Sequence, residues 1–285
     1  MSLKFAQINE KFPDTCVIID ALNLAFRDKH AGSEKFAEDY LLRIESFAKS
    51  YKAGKLIVAA DWGTSTYRLN IWPEYKLTRK QGFEDQTEEE KEAFKRFFKE
   101  FERALELVAT KYPVLRYKGV EADDIAAYIV RNRKRFGIKT IWLISSDKDW
   151  NLLLSEDVSQ FSYVTRKEIT LNNLYEHRGV ATPDEYLSMK VLMGESGASS
   201  DNVPGIEQIG PKRAIALIEE YGSAWDLYES LPIPGKYKHI QNLNASGDLI
   251  EKNYKLFDLL THCDEAIGQE NIEDIHTRIK NGFQS

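Results

Sequence analysis

Acidic residues stand at the carboxyl ends of the apolar segments of this chain, and that pattern constrains its fold most. The segments CVIID (Cys16–Asp20), LIVAAD (Leu56–Asp61) and IWLISSD (Ile141–Asp147) are short, apolar and bounded by polar residues, which is typical of buried parallel strands. A further strand is predicted at VLRYKGV (Val114–Val120), and the alternating stretch Gln160–Leu171 predicts a hairpin or an edge strand. Strands alternating with helical stretches indicate an α/β fold with a central, mostly parallel sheet flanked by helices.

The strand ends carry more carboxylates than helix capping explains. Acids in the first turn of a helix each contribute about 0.3–1 kcal/mol, which could account for KGVEADDIAAYIV (Lys118–Val130) taken alone. The same explanation would have to hold independently at the other strand ends. Because sites in open α/β sheets form outside the carboxyl ends of the strands, we predict that these acids share one pocket. They are Asp20, Asp61, Glu121, Asp123, Asp124, Asp147 and Asp149.

Carboxylates crowded in this way require cations. Two unit charges about 4 Å apart repel by roughly 4 kcal/mol at an effective dielectric constant of about 20, so such acids bind protons or attract metal ions. An oxygen-only ligand set selects Mg²⁺ or Mn²⁺, whereas the five histidines and two cysteines show no zinc-ligand spacing. Two such ions promote in-line displacement at phosphorus, and no Ser/His/Asp arrangement suggests a side-chain nucleophile. The predicted reaction is phosphodiester hydrolysis.

Length, charge and composition set the remaining limits. A chain of 285 residues with 42% hydrophobic residues is globular and long enough for one large domain or two modest ones. The N-terminal stretch lacks the apolar core of a signal peptide, and no apolar run reaches the length of a bilayer span. We therefore expect a cytoplasmic monomer without membrane association. The net charge of −6 argues mildly against a nucleic-acid partner, unless the acids are concentrated in a metal pocket.

A long helix is predicted after the second strand. Thr87 and Glu90 fit a capping box at its start, and the phenylalanines that follow at helical spacing are typical of core packing. The preceding segment Pro73–Gln86 mixes Lys76 and Arg79 with aromatic residues and lacks a sustained apolar face. It is either a solvated loop or a mobile element that grips phosphates and stacks on bases.

Helical patterns dominate from Pro183 onward, so we place an α/β domain at 1–180 and a helical region at 181–285. Within that region, Gly205 and Gly210 bracket a tight connection, and Pro211 suits the first position of the next helix. Backbone amides at such a turn can bind a phosphate, although a plain linker between helices is the alternative. Nearby basic residues are Lys212, Arg213, Lys236 and Lys238.

Taken in order, the motifs of the chain resemble those of the flap endonucleases, or 5′-nucleases, and most of all the bacteriophage-type members. The motifs are VIIDALN, VAADWG, PEYK, GVEADDIAAYIV, LISSDKDW and DNVPGIEQIGPKRA, and the resemblance extends from about Val17 to about Ala245. It implies a structure-specific 5′-nuclease that cuts branched or 5′-flap DNA near the junction of single strand and duplex. It also implies 5′-3′ exonuclease activity and two divalent ions, Mg²⁺ or Mn²⁺.

The resemblance also implies roles for individual residues. The first ion would be held mainly by Asp20, Asp61, Glu121 and Asp123, with Asp124 among the acids of the site, and the second by Asp147, Asp149 and Asp201. In a helical arch at about 74–112, Lys76 and Arg79 would approach the scissile phosphate and Tyr75 would stack on a base, while Arg27 would steer the 5′ strand. A helix-hairpin-helix at about 186–221 would hold the duplex backbone, often with K⁺. Its matching residues are Gly205, Ile206, Gly210, Lys212 and Arg213.

One loop departs from the family pattern. The family usually has Gly-Asp, two residues, then Asp-Asn, whereas MGESGASSDN (Met193–Asn202) has Glu195 in place of the first Asp and five residues before Asp201. The loop is thus three residues longer than usual. Whether Glu195 joins the ligands of the second ion is left open by the sequence.

Two other functions remain alternatives at this point. SSDKDW contains the Asp-x-Asp pattern found in magnesium-dependent phosphatases of small phosphoesters. A DNA-junction binder that kept the fold without the chemistry is the second alternative, and the intact set of acids argues against it.

Overall fold

A central sheet of six strands organises the protein, of which the computed structural model describes residues 11–27, 35–197 and 200–283. The strands are β1 (Phe12–Asp20), β2 (Ala53–Ala59), β3 (Val114–Leu115), β4 (Thr140–Ile144), β5 (Val158–Ser162) and β6 (Lys167–Ile169). Their order across the sheet is β3-β2-β1-β4-β5-β6. All neighbouring pairs are parallel except β5 and β6. The predicted mostly parallel sheet is therefore confirmed.

The register of β1 brings the acidic strand ends together. Asp20 at the end of β1 pairs with Ala59 of β2, and Ile19 pairs with Ile144 of β4 on the other side. Asp61 and Asp147 follow the last residues of β2 and β4 within three positions. The three carboxylates consequently leave the sheet at one edge, as expected for parallel strands.

Helices cover both faces of this sheet. In the described residues the α-helices are α1 (Ala21–Phe26), α2 (Phe36–Ser50), α3 (Thr66–Ile71), α4 (Leu77–Glu84), α5 (Glu88–Ala109), α6 (Ala122–Arg131), α7 (Leu174–Arg178), α8 (Pro183–Met193), α9 (Pro211–Tyr221), α10 (Ala224–Glu229), α11 (Lys238–Asn244), α12 (Gly247–Phe257), α13 (Leu259–Ile267) and α14 (Gln269–Gly282). Helices α2 and α5 pack on one face of the sheet, and α6, α13 and α14 pack on the other. Both layers bury apolar side chains that alternate along the strands.

Helix α5 forms as its sequence predicts. Thr87 and Glu90 complete the capping box at its start, and Phe97, Phe101 and Val108 are buried against α2 and the sheet. The preceding α4 is a helix rather than a loop, and all of its residues remain at least partly exposed. The absence of a sustained apolar face in the sequence of this segment is thus reflected in its exposure.

The prediction of a strand over Val114–Val120 is wrong in its length. Only Val114 and Leu115 pair with β2. Gly119 then adopts a φ of +73° and donates its N–H to the carbonyl of Trp62 at 2.8 Å. The chain turns at this point because a left-handed residue cannot continue an extended strand. The predicted hairpin at Gln160–Leu171 is confirmed by the antiparallel pair β5–β6, with β6 at the edge.

The C-terminal helices form their own apolar cluster, which reaches the first part of the chain. Val191, Ile206 and Leu256 pack together in this cluster with Tyr75, and α12 lies against α3. These contacts position the segment between β2 and α4 relative to the C-terminal helices. None of the helices in the described parts of the chain is both long and apolar enough to span a bilayer.

Candidate metal centre and DNA-binding surfaces

A polar cleft of about 300 Å³ opens at the carboxyl edge of the sheet. Its lining residues are Asn23, Lys76, Arg79, Asp123, Ser146, Asp147, Lys148, Asp149, Glu195 and Asp201. Side chains from the end of β4, from the start of α6 and from the connection between α8 and α9 thus face one another. Of the acids that the sequence analysis predicted to share one pocket, Asp123, Asp147 and Asp149 line this cleft.

The first group of acids lies at the ends of β1 and β2 and in the first turn of α6. Asp20 caps α1 by accepting from the N–H of Asn23 at 3.3 Å, and its Oδ2 accepts from the hydroxyl of Ser145 at 2.6 Å. Asp61 accepts from the N–H of Ala122 at 2.8 Å. These contacts fix Asp20 between α1 and the end of β4 and fix Asp61 beside the start of α6, while leaving further lone pairs for other partners.

Burial and mutual repulsion disturb the ionisation of these acids. Burial raises the pKa of Asp20 well above its ordinary value, and the charges of Asp61 and Asp147 raise it further. Burial likewise raises the pKa of Asp123, with Asp147 as the next contribution. Burial also raises the pKa of Asp61. Such a set is stabilised when a cation neutralises it.

Glu121 differs because cations already surround it. Its Oε1 accepts from the ammonium of Lys76 at 2.8 Å and from the N–H of Ser65 at 3.2 Å. Arg68 approaches Oε2 at 3.4 Å. Burial raises the pKa of Glu121, but Lys76 and Arg68 outweigh burial, so its pKa lies below the ordinary value. Glu121 is therefore more readily ionised than Asp20, Asp61 and Asp123, whose pKa values are raised.

Asp124 lies outside the lining of the cleft. It is 1% exposed, and its two oxygens accept from Nη1 and Nη2 of Arg68, both at 2.8 Å. This bidentate pair orients the carboxylate against the guanidinium. The expectation that Asp124 binds a metal ion stays a prediction; its pairing with Arg68 could not be read from the sequence, because any acid in a first helical turn looks alike.

The second group of acids lies across the cleft. Asp149, Glu195 and Asp201 each contribute one carboxylate oxygen, and these three oxygens lie within 4.8 Å of one another. Glu195 is held there because its N–H donates to the carbonyl of Val203 at 2.8 Å, closing the base of the lengthened loop. The structure thus places Glu195 with the other acids, which the sequence left open.

Asp147 joins this group from the end of β4. Its Oδ1 accepts from the N–H of Asp149 at 2.9 Å. Burial and the charge of Asp149 raise the pKa of Asp147 to about 6. The pKa of this acid therefore lies just below neutral pH, where protons and metal ions compete for the carboxylate.

The oxygens of the cleft fit hard divalent cations. Carboxylates are the only strong metal ligands in its lining, and Mg²⁺ and Mn²⁺ prefer such donors. Burial raises the pKa values of Asp20 and Asp123, and the neighbouring carboxylates raise them further, so a bound cation would favour the ionised forms of both acids. Both observations favour cations at this site over an all-protein ion-pair network.

Lys76 and Arg79 stand between the two groups of acids. Lys76 has a φ of +57°, uncommon for a residue other than glycine, and its N–H donates to the carbonyl of Asp201 at 3.0 Å. Nη2 of Arg79 lies 2.7 Å from Oδ1 of Asp201. Both cations thereby line the cleft, and their approach to a scissile phosphate stays a prediction.

Tyr75 does not present its ring for stacking on a base. The residue is 4% exposed and packs in the apolar cluster of the C-terminal helices. Its hydroxyl lies 2.9 Å from Oε2 of Glu121 and 3.0 Å from Oδ2 of Asp201. The expectation of base stacking is corrected, because the side chain instead bridges the two groups of acids from beneath.

The predicted hairpin between α8 and α9 is tightly packed. Ile206 is buried and donates its N–H to the carbonyl of Leu192 at 2.9 Å, and a Cβ on Gly205 would lie 1.8 Å from the carbonyl oxygen of Met193. Gly210 caps the start of α9, and a Cβ at this position would meet no atom within 4 Å. The basic residues of this region, which are exposed, are Lys212, Arg213, Lys236 and Lys238. Arg27 is exposed at the end of α1.

Sequence reasoning missed two buried cations of the site. Lys190 of α8 lies 2.6 Å from Oδ1 of Asp149 and also contacts Glu195, and Arg68 of α3 binds Asp124. A lone lysine in the apolar run YLSMKVLM was a signal for the first, since buried lysines are rare unless paired. No comparable signal marked Arg68, because α3 is short and mixed in composition.

The chain matches known proteins over most of its length. Residues 15–181 match the 5′-3′ exonuclease N-terminal resolvase-like domain, and residues 181–279 match the 5′-3′ exonuclease C-terminal SAM fold. The flap endonuclease of Escherichia phage T5 is 46% identical over 252 residues, which are 88% of this chain and 85% of that protein.

Two solved structures from phage T5 are similar over nearly the whole chain. The T5 D15 protein co-crystallised with metal ions has a TM-score of 0.88 at 42% identity, covering 94% of this chain and 99% of that one. A variant of the T5 D15 flap endonuclease in a pseudo-enzyme-product complex with DNA and metal ions has a TM-score of 0.89 at 42% identity, covering 95% and 100%. The resemblance to the flap endonucleases is confirmed: the chain belongs to the 5′-3′ exonuclease family and is a metal-dependent nuclease.

Proposed function

We propose that this nuclease hydrolyses DNA phosphodiesters near the junction of a 5′ single strand and duplex, as a flap endonuclease and a 5′-3′ exonuclease, with two divalent ions. The observation that carries the proposal is that Asp123 faces Asp147, Asp149, Glu195 and Asp201 in one cleft, close enough to Asp20 and Asp61 for their charges to raise its pKa. The T5 relative whose structure contains DNA and metal ions supports the choice of substrate.

Each group of acids would hold one ion. The first would be bound by Asp20, Asp61, Glu121 and Asp123, and the second by Asp147, Asp149, Glu195 and Asp201. Mg²⁺ or Mn²⁺ suits these oxygen donors. When bound, a pair of such ions supplies an activated water and neutralises charge on the reacting phosphate.

Lys76 and Arg79 would receive the phosphate. The ammonium of Lys76 lies 2.8 Å from Glu121 and 3.9 Å from Asp201, so it stands between the two groups. A phosphodiester entering the cleft would meet these two cations at the point where negative charge grows during hydrolysis. Preorganised charge of this kind stabilises a transition state without reorganisation of solvent.

The duplex would lie along the C-terminal helices. The hairpin at Gly205 and Gly210 offers backbone amides at the start of α9, and Lys212 and Arg213 add charge next to it. In this proposal the hairpin holds the duplex backbone with a K⁺ ion, Lys236 and Lys238 extend the basic surface, and Arg27 steers the 5′ strand. The enzyme acts as a monomer in the cytoplasm.

Cleavage of a labelled 5′-flap duplex with Mg²⁺ tests the proposal. The folded wild-type protein should cut near the junction and should not turn over a small phosphomonoester. Asp147→Asn should lose cleavage and keep junction binding in a gel-shift assay. Absence of flap cleavage by the folded wild type, in both Mg²⁺ and Mn²⁺, would overturn the proposal.

A further inference from the structure

The guanidinium of Arg68 is buried at the back of the metal site. Arg68 is 4% exposed, and it lies on α3, which no sequence motif of the site includes. Its Nη1 and Nη2 donate to Oδ2 and Oδ1 of Asp124, both at 2.8 Å. Because the planar guanidinium matches a carboxylate in this fork geometry, Asp124 fixes the orientation of the arginine.

The same guanidinium also reaches a proposed metal ligand. Nη1 lies 3.4 Å from Oε2 of Glu121, behind the Oε1 atom that faces Lys76. The aromatic ring of Tyr75, whose hydroxyl contacts Glu121, lies 5.9 Å from the guanidinium carbon. Glu121 is thus held from behind by one cation whose own position depends on Asp124.

A third contact of Arg68 leads to the C-terminal helical region. Its Nε donates to the carbonyl oxygen of Leu256 in α12 at 3.1 Å. The backbone of α12 is therefore joined through one side chain to Glu121 at the start of α6. A shift of α12 would move the guanidinium and, with it, the carboxylate.

We propose that Arg68 and Asp124 form a positioning pair that holds Glu121 in the orientation needed by the first metal ion and ties that carboxylate to α12. Neither residue binds the metal ion. The inference rests on the proposed function, because Glu121 is a ligand only if the cleft binds divalent ions. It assigns to Asp124 a task different from that of the neighbouring acids.

Two roles for Asp124 predict different patterns among variants. If Asp124 is a ligand, Asp124→Asn removes a ligand while Arg68→Gln removes only a neighbour, and the two changes differ in strength. If Asp124 acts through Arg68, the two substitutions weaken the same ion to a similar extent. Their combination then adds little, since both act through one shared element.

The experiment measures Mn²⁺ binding by calorimetry and by electron paramagnetic resonance, together with the Mn²⁺ dependence of flap cleavage. Arg68→Gln and Asp124→Asn should each weaken the first ion about 10- to 100-fold, as loss of a ligand's supporting partner does. The double variant should bind Mn²⁺ no more weakly than the single variant that has the lower Mn²⁺ affinity. Saturating Mn²⁺ should restore most of kcat, and Arg68→Lys should fall between Arg68→Gln and the wild type.

Arg131→Gln is the matched control. Arg131 sits at the far end of α6 and also donates to a carbonyl of the C-terminal helices, that of Leu260 at 2.8 Å, while pairing with Asp264. Its loss should lower the melting temperature without changing Mn²⁺ affinity. If Arg68→Gln does not fold, Arg68→Lys and Asp124→Asn decide the question by the same two readouts.

Three results would overturn the inference. One is loss of Mn²⁺ binding in Asp124→Asn with wild-type binding in Arg68→Gln, which would make Asp124 a ligand. Another is wild-type Mn²⁺ affinity in both single variants. The third is an equal loss of affinity in Arg131→Gln. Failure of the wild type itself to bind Mn²⁺ or cut DNA would instead contradict the proposed function.

Discussion

The ammonium nitrogen of Lys190 lies 2.6 Å from Oδ1 of Asp149, with the lysine side chain only 6% exposed. The same ammonium contacts Glu195, and the ring of Phe257 lies 4.7 Å away. Burial lowers the pKa of Lys190, but Asp149 and Glu195 outweigh burial and raise it. Lys190 is thus a fixed internal counter-ion for the second group of acids.

Replacing Lys190 should destabilise the metal-free protein. Lys190→Met leaves two partly buried carboxylates without their cation, which costs about 3 kcal/mol of unfolding free energy. Urea denaturation in EDTA measures this loss, and Mg²⁺ should restore part of it by supplying the missing charge. Lys255→Met, which breaks the exposed pair with Glu251, should change the unfolding free energy by no more than about 0.5 kcal/mol. Equal losses in the two variants would contradict the counter-ion role.

Lys76 should matter more for turnover than for affinity. If its ammonium meets the charge that grows on the phosphate, Lys76→Ala lowers kcat on a 5′-flap substrate about 100-fold or more, while the Kd for the same DNA changes little. Single-turnover cleavage and fluorescence anisotropy separate the two quantities. Lys80→Ala replaces an exposed lysine of helix α4, which begins directly after Lys76; it is the control and should leave kcat unchanged. Parallel losses of kcat and affinity in Lys76→Ala would reassign the residue to general attraction of the DNA backbone.

The metal-free protein should lose stability as pH rises through 6. The pKa of Asp147 is about 6, against an ordinary aspartate value of about 3.9. The native state therefore keeps a proton that the unfolded state releases. The contribution of this proton to the free energy of unfolding is fully present below about pH 4 and lost above about pH 6. The melting temperature in EDTA should fall between about pH 4 and pH 6, and Mg²⁺ should reverse the fall.

Asp147→Asn provides the check on that assignment. The amide cannot titrate, so the variant should show a shallower decline of melting temperature over the same pH range. Differential scanning calorimetry at several pH values gives both slopes. An identical slope in the variant would mean that Asp147 does not carry the effect.

Two glycines of the hairpin should respond differently to alanine. A Cβ at Gly205 would overlap the backbone of Met193, so Gly205→Ala should cost about 1–3 kcal/mol of unfolding free energy through overpacking. A Cβ at Gly210 meets open space, and Gly210→Ala should fold normally. If the amides at the start of α9 bind a DNA phosphate, the added methyl group in Gly210→Ala should still weaken duplex binding. Thermal melting and a duplex titration test both variants, and normal duplex affinity in Gly210→Ala would exclude that contact.

The shared location of the acidic strand ends could be predicted because the carboxyl ends of parallel strands meet at one edge of the sheet. Apolar runs such as Cys16–Asp20 can be buried on both faces only within a covered parallel sheet, and the register of that sheet then brings Asp20, Asp61 and Asp147 to one edge. The polar character of the segment over α4 likewise predicted an element outside the core.

The partners of the acids could not be predicted, since they depend on tertiary contacts between remote segments. Arg68 meets Asp124 and Leu256 across long stretches of chain, and no local pattern encodes such a contact. The burial of Tyr75 has the same origin, because the apolar cluster that covers it comes from the C-terminal helices. Its neighbours in sequence, by contrast, are mostly polar.

Helix α4 keeps all of its residues at least partly exposed while lying beside the cleft. Surface positions away from packed contacts tolerate replacement with little change in unfolding free energy. Arg79 is the exception in this helix, because it pairs with Asp201 in the cleft. Replacements at the outward-facing positions of α4 should therefore alter the rim of the cleft while leaving the geometry of the acids unchanged.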